Sequence, residues 1–452
     1  MTQSSTLNIA IIGAGFSGTA FVAACQRLSK RPLHLHVFEK SGRFATGDAY
    51  RTPFSYHLLN VNAKDMSAFE DDPSHFVAWL KARQSHPLAT KKTLDADLPL
   101  EEQFLPRSLY GEYLNDLLQA EGNHQLTLEA QEVIDLVPHS DHIILILSDQ
   151  RQIKVDKVVL ALGNQAPAPF PFPVTNTVQC IRNPWEYRAP NQISKDDPVL
   201  IVGTGLSMID TVLTLKKQSH RGAIYAVSRH GLLPLPHTKH KTVLAISRDS
   251  LPSSLRSLTQ FVREKCRTHA DWQAVINGLR SHIPSLWAEA SVADKKRFLR
   301  HLLAYWNVHR HRVHQQISAQ LAQLIAQGQL KIIAGRVLAI ENQQAIIRPR
   351  HEAHHLQLDV KWIINCMGPA LNASAYQSPL LANLLQKKLA CLDPLQLGLD
   401  VASSGALKMP DGEVSSRLFA LGSLRRGALW EVSAVPEIRK QCFELANLIQ
   451  SS

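Results

Sequence analysis

The segment Leu7-Asn8-Ile9-Ala10-Ile11-Ile12-Gly13-Ala14-Gly15-Phe16-Ser17-Gly18 runs from a short apolar strand pattern into a turn with glycine at its first, third and sixth positions. Each glycine has a separate task in a strand–turn–helix that holds a dinucleotide. Gly13 permits the tight turn, Gly15 lets the backbone approach a pyrophosphate, and Gly18 lets helix and strand pack closely. Phe16 and Ser17 open the helix that Thr19 to Leu28 continues, and its free N–H groups and dipole favour phosphate. Leu33 to Phe38 reads as a second strand that runs into Glu39 and Lys40. An acid at Glu39 accepts hydrogen bonds from a ribose diol, which predicts an unphosphorylated adenosine ribose.

A second strand–turn–helix begins at Pro198. Val199 to Val202 leads into Gly203-Thr204-Gly205-Leu206-Ser207-Met208, then a helix Ser207 to Lys217 and a strand Ala223 to Val227. Met208 takes the place of the third glycine, so this helix is expected to sit further from its strand. After the next strand come Ser228 and Arg229, with no acid. An arginine there suits the 2′-phosphate of NADP through charge-assisted contacts.

Between and beyond the turns the periodicities change. Residues 42–72 read as irregular. Pro73 to Arg83 reads as a helix capped by Asp72, and Leu109 to Ala120 as another. Strand patterns fill Leu126 to Ala161, and a Pro-rich linker spans Ala166 to Pro173. Apolar residues recur at helical spacing from about 249 to 328. Strand patterns return at Leu330 to Ile333, Ala345 to Ile347, Trp362 to Asn365 and Leu418 to Leu421, and Pro436 to Ile449 reads as a last helix. The expected fold is α/β, with two Rossmann-type dinucleotide-binding domains and a mostly helical insertion. The expected boundaries are 1–195 for the first part of an FAD domain and 196–248 for an NADP unit. The insertion covers 249–330, and 331–452 returns to both domains.

The chain has 452 residues and a net charge of +11. Such a balance bears on partners rather than fold. It points to an anionic small-molecule substrate or to phosphate-bearing cofactors; no basic run with interleaved aromatics argues for nucleic acid. Six scattered cysteines form no CxxC pair. That argues against a dithiol-dependent disulfide reductase and for a reducing, cytoplasmic setting. No Lys or Arg precedes the apolar N-terminal segment, so it lacks the charged start of a signal peptide. No stretch has the ~18 apolar residues of a membrane span. The spacing of a serine-hydrolase elbow, GxSxG, is also absent.

Three longer motifs carry a family resemblance. They are Gly47-Asp48-Ala49-Tyr50-Arg51-Thr52 with His57-Leu58-Leu59-Asn60-Val61 and Met66-Ser67; Phe298 to Arg312; and Phe419 to Gln441. With them the chain resembles the FAD/NAD(P)-binding branch of the two-dinucleotide-binding-domain flavoproteins and, more distantly, the flavin-dependent N-hydroxylating monooxygenases. The resemblance implies that Gly13, Gly15, Gly18 and Glu39 hold the ADP part of FAD. It places Asn60, Val61 and Met66 along the flavin, Arg107 on the flavin side, and the Val133 backbone on adenine. Gly163, Asn164 and Gly368 would lie where the chain crosses between domains. Gly422 and the turn Trp430 to Ala434, with Val432, would bring a helix N-terminus to the flavin pyrimidine.

The expected function is that of an FAD-dependent, NADPH-using oxidoreductase, monooxygenase-like, acting on a small and anionic or amino-acid-like substrate with O₂. The alternatives are an NADPH oxidoreductase without oxygen insertion and a non-catalytic flavin-binding sensor. Asn60, Asn164 and Trp430 are the candidate catalytic positions, because the flavin carries the chemistry. In His309-Arg310-His311-Arg312-Val313-His314 a continuous helix would bring His311 and His314 to one face. Two histidines without a third ligand make a poor metal site, and no metal is expected. A basic wall facing an anionic substrate or the NADPH phosphates, or a solvated helix face, are the other readings of this stretch.

Overall fold

A computed structural model describes residues 6–83, 95, 97–120, 122, 124–175, 178–186, 189–238, 242–373 and 376–451. They divide into two compact units. The first comprises residues 1–165, 283–288 and 371–452, and the second 166–282 and 289–370.

In the first unit the strands are β1 (Leu7–Ile12), β2 (Leu33–Phe38), β3 (Gln125–Glu129), β4 (Val133–Pro138), β5 (Ile143–Leu147), β6 (Gln152–Val155) and β7 (Lys157–Leu160). The second unit supplies β8 (Gln179–Ile181), β9 (Val199–Val202), β10 (Ile224–Ser228), β11 (Leu330–Glu341), β12 (Gln344–Pro349), β13 (Leu356–Asp359) and β14 (Trp362–Asn365). The chain returns to the first unit with β15 (Ala406–Lys408) and β16 (Val414–Ala420).

The first unit is built on a six-stranded sheet in the order β15-β16-β7-β1-β2-β3. Strands β16, β7, β1, β2 and β3 are parallel, with Ile12 beside both Phe38 and Leu160 and Ala420 beside Leu160. Apolar clusters cover both faces, as a parallel sheet requires. The helices Phe16–Leu28 and Val435–Ser451 pack together, and β4-β5-β6 form a small antiparallel sheet.

The second unit has its own sheet, ordered β13-β12-β11-β10-β9-β14-β8. Its centre, β11-β10-β9-β14-β8, is parallel, and β12 and β13 extend it antiparallel. This is a second nucleotide-binding arrangement, as the sequence predicts. The first stretch of the first unit ends at residue 165, and among the residues that follow, β8 joins the second unit's sheet by pairing with β14. The helical stretch is several short helices between Leu255 and Ala326, and one turn of it, 283–288, belongs to the first unit.

Two local expectations are corrected. The helix after Pro73 starts only at His75; Asp72 accepts from the His75 amide through its carbonyl at 3.2 Å, and its carboxylate takes the Ser74 hydroxyl at 2.9 Å. The His/Arg stretch is not one helix. The helix Leu303–Arg310 ends at His311, Val313 donates to the Leu235 carbonyl at 3.0 Å and accepts from the His237 amide at 2.9 Å, and His314 caps the next helix by accepting from the Gln316 amide at 3.2 Å. His311 and His314 therefore share no helix face. Among the described residues no group of three or more His, Cys, Asp or Glu could hold a metal ion, and no helix is long and apolar enough to cross a membrane.

Candidate dinucleotide sites

The first site forms where β1, β7 and β16 end side by side, the carboxyl edge at which open parallel sheets bind ligands. Gly13 has φ +103°, and a β-carbon there would run into the Ala161 backbone, with its carbonyl carbon at 2.8 Å. A β-carbon on Gly18 would press on the Gly13 carbonyl and sit 3.2 Å from the Ile11 side chain. Close packing therefore demands both glycines. Gly15 is different: its β-carbon would meet only the Gly47 Cα, at 3.6 Å. It precedes the helix Phe16–Leu28, which has no side-chain cap and no acid in its first turn. The orphan amides of that turn suit a pyrophosphate.

Glu39 closes this site. Its Oε2 accepts from the Ala14 amide at 3.1 Å, while Oε1 accepts from the Ser41 amide and hydroxyl at 3.0 and 2.8 Å. The carboxylate is thus aimed at the glycine turn. Lys40 points elsewhere and pairs with Glu132 at 3.6 Å on the surface. Val133 is buried at the start of β4, one residue beyond Glu132.

The loop with Asn60 and Val61 is fastened to the segment before the helix Arg107–Gln119. Leu59 donates to the Leu105 carbonyl at 2.8 Å, and Ala63 to the Gln103 carbonyl at 3.0 Å. Arg107 donates its amide to the His57 carbonyl and Nε to the Leu58 carbonyl, both at 2.9 Å. Arg107 thereby holds the loop in shape. Asn60 and Val61 are half-buried on it, whereas Met66 is 2% exposed and lies in the apolar core.

The crossing at the end of β7 meets the segment after β16. Ser423 donates to the Gly163 carbonyl, and Arg426 reaches the Asn164 side-chain oxygen at 3.4 Å. Gly422 has φ +64°, lies against Ser17, and donates its amide to Gln441 at 3.1 Å. Asn164, Gly163, Gly422 and the phosphate turn are thus neighbours. Val432 is buried, and Trp430 is half-buried at φ +62°.

The second site repeats the first. Gly203 has φ +113°, and its β-carbon would collide with the Cys366 backbone, as that of Gly13 would with Ala161. Gly205 precedes the helix Leu206–Lys217, again without a side-chain cap, and a β-carbon there would meet nothing within 4 Å. Leu206 and Ser207 are half-buried in its first turn. Met208 is fully buried. Gly368, at φ +84°, follows β14 and is equally open.

Ser228 is engaged within the protein: it takes the Thr204 hydroxyl at 2.8 Å and the Gly231 amide at 3.0 Å. Its role is to brace the glycine turn. Arg229 beside it is exposed. Arg350 donates to Nδ1 of His230, and burial together with Arg350 and Arg229 lowers the His230 pKa from its usual value.

In the helical stretch the side chain of Arg312 turns inward. It is 6% exposed, donates to Gln273 and, at 2.5 Å, to Asn277, and burial pushes its pKa down to about 10. It ties the break at 311–314 to the helix Trp272–Leu279 instead of forming a solvated basic face.

Sequence reasoning missed three members of these sites. Arg350 lies 120 positions from His230 and nothing local announces it. Gly47 meets Gly15, and its φ of +50° was foreshadowed only by its place in a motif. Arg426, buried beside Asn164, stands in the motif Phe419 to Gln441 without distinguishing spacing.

Residues 10–165 match a family described as FAD-NAD(P)-binding. No curated protein matches the chain by sequence at a significant level. Solved structures match over nearly the whole chain. Ornithine N-hydroxylase from Kutzneria sp. 744, solved with reduced FAD, NADP⁺ and L-ornithine, is 15% identical, with a TM-score of 0.68 and 99% of each chain covered. L-lysine 6-monooxygenase from Pseudomonas syringae is 14% identical, with a TM-score of 0.65 over 98% of this chain and 99% of that one. Bacillithiol disulfide reductase from Bacillus cereus is 11% identical, with a TM-score of 0.56 and 99% of each chain covered. At these identities the likeness is one of fold, and the fold is that of the two-dinucleotide-binding-domain flavoproteins.

Proposed function

We propose that this chain is an FAD-dependent, NADPH-using oxidoreductase of the monooxygenase type, acting on a small amine- or amino-acid-like substrate. The observation that carries the reading is the pairing of two like turns with unlike second strands. Gly13–Gly18 is answered by Glu39, whose carboxylate faces the turn. Gly203–Met208 is answered by the exposed Arg229. The acid suits the free ribose diol of FAD, and the cation suits the 2′-phosphate of NADPH.

Both turns fit their cofactors on their own geometry. Each has a glycine with room for a phosphate and a helix start without a side-chain cap. When bound, FAD accepts a hydride from NADPH and lets O₂ be reduced. The net reaction consumes NADPH, O₂ and a proton, and yields NADP⁺, water and a hydroxylated substrate. The protein binds, orients and shields. Gly13, Gly15, Gly18 and Glu39 hold the ADP moiety. Asn60, Val61, Asn164, Gly422 and Trp430 line the flavin end, and Arg107 shapes the loop that carries Asn60. Buried Arg426 adds a cation beside Asn164, where reduced flavin would carry negative charge. Gly203, Gly205, Leu206, Ser207 and Arg229 hold NADPH, with Ser228 bracing them.

The matched folds that act on ornithine and lysine support an amine substrate. The net charge of +11 favours one with an anionic group. Six free cysteines suit a reducing, cytoplasmic setting. Purified protein tests the reading: it should be yellow with an FAD spectrum and bleach rapidly with NADPH under argon. With substrate and air, oxygen uptake should match hydroxylated product. Hydrogen peroxide as the sole oxygen product with every amine tried would leave an oxidoreductase without oxygen insertion. Failure to bleach would leave a flavin sensor.

A further inference from the structure

The turn that ends the helix Arg426–Leu429 is strained. Trp430 has φ +62° and ψ −68°, and the Glu431 amide donates to the Leu429 carbonyl at 2.8 Å. This is a γ-turn of the rare, strained kind, with a bulky residue at its centre. Such strain persists only where the surroundings over-determine it, and it gathers at ligand sites.

The surroundings here do so from two sides. Trp287 is 6% exposed; it stacks on Trp430 with ring centroids 4.7 Å apart and planes at 27°, and donates Nε1–H to the Gly427 carbonyl at 2.8 Å. On the other side, Gly427 lies so close to Asp393 that a β-carbon would be 2.5 Å from its Oδ2. Asp393 is itself fixed by the Leu395, Leu397 and Gly398 amides at 2.6 to 2.9 Å. The helix before the turn begins beside Asn164 through Arg426, at the carboxyl edge of the parallel sheet. Trp287 comes from residues 283–288, the single turn of the helical stretch that belongs to the first unit. Two large indoles are thus gathered from distant parts of the sequence at the cost of a strained backbone, and one of them stays half-exposed.

We propose that Trp430 packs against the isoalloxazine of bound FAD, and that Trp287 is the positioning residue that holds it there. This rests on the FAD reading above. An indole touching an oxidised isoalloxazine donates an electron to its excited state and quenches its fluorescence. The flavin of the holoprotein is therefore dim. Trp430→Phe should raise the fluorescence yield per bound FAD several-fold. Trp287→Phe, which keeps a ring but loses the hydrogen bond to Gly427, should raise it less. Trp79→Phe, whose indole is instead bonded to Asp116, should leave it unchanged. An unchanged yield in both Trp430→Phe and Trp287→Phe, with FAD still bound, overturns the proposal and leaves the FAD reading standing. A wild-type protein that takes up no FAD overturns both.

Discussion

The backbone amide of Ala14 donates to Oε2 of Glu39 across 3.1 Å, joining the glycine turn to the end of the second strand before any ribose arrives. Ser41 holds the other oxygen, so the carboxylate is preset rather than recruited. A hydrogen bond to a charged group is worth about 1.5–3 kcal/mol. Glu39→Ala should therefore weaken FAD binding by roughly tenfold to a hundredfold. The check is a fluorescence titration of apoprotein with FAD, alongside circular dichroism to show an intact fold. An unchanged affinity would remove Glu39 from the ribose site.

Gly203 and Gly205 differ in what they protect, and the difference can be measured. A β-carbon at Gly203 meets the Cys366 backbone and also forces a side chain onto φ +113°. Overpacking and the unfavourable φ should together cost about 2–4 kcal/mol of stability in the second unit. A β-carbon at Gly205 meets no protein atom within 4 Å. Gly205→Ala should melt like wild type yet raise the KM for NADPH by about tenfold, as expected where backbone and pyrophosphate approach closely. Thermal melts beside NADPH titrations decide it. Normal NADPH kinetics in Gly205→Ala would place the pyrophosphate elsewhere.

The same contrast explains what was legible in the sequence. Both glycine turns, their flanking strands and Glu39 could be read because each role is local: a period, a turn and an acid at fixed spacing. The strands β8, β13 and β15 and the helix Pro379–Gln386 escaped, being short and lacking a sustained period. The break at 311–314 escaped because His311 and Arg312 carry no proline or glycine signal; there Val313 instead pairs with the distant segment Leu235 to His237. Trp287 and Arg350 were invisible for a related reason. Only the fold brings Trp287 to Trp430, 143 positions away, and Arg350 to His230, 120 positions away.

Arg350 modifies the expectation for NADPH specificity. Arg229, His230 and Arg350 lie close enough that both arginines depress the His230 pKa. A 2′-phosphate at Arg229 would also lie within the field of Arg350. Arg229→Ala should raise the KM for NADPH about tenfold and scarcely alter that for NADH. Arg350→Ala should show the same selectivity with a smaller effect, since only a more distant charge is lost. Equal changes with both nucleotides would sink the 2′-phosphate role for whichever arginine shows them.

Stability should fall on mild acidification, and two histidines account for part of it. His220 is 6% exposed, and neither of its ring nitrogens meets a partner in good hydrogen-bond geometry. Burial lowers its pKa, with the Ser194 backbone, Asp197 and Asp196 opposing only partly. His36 bonds to His34 at 2.9 Å, and burial and His34 lower its pKa despite Glu129 on the neighbouring strand. The unfolded chain protonates both near pH 6.5, while the folded chain resists until lower pH. Their contribution is thus fully present above about pH 6.5 and is lost as the pH falls from there toward their folded values. Melting temperatures at pH 7.5 and 5.5 should show this drop, and His220→Leu should make it shallower. A His220→Leu protein that loses as much stability as wild type between the two pH values would show that this imidazole is already charged, or solvated, in the native state.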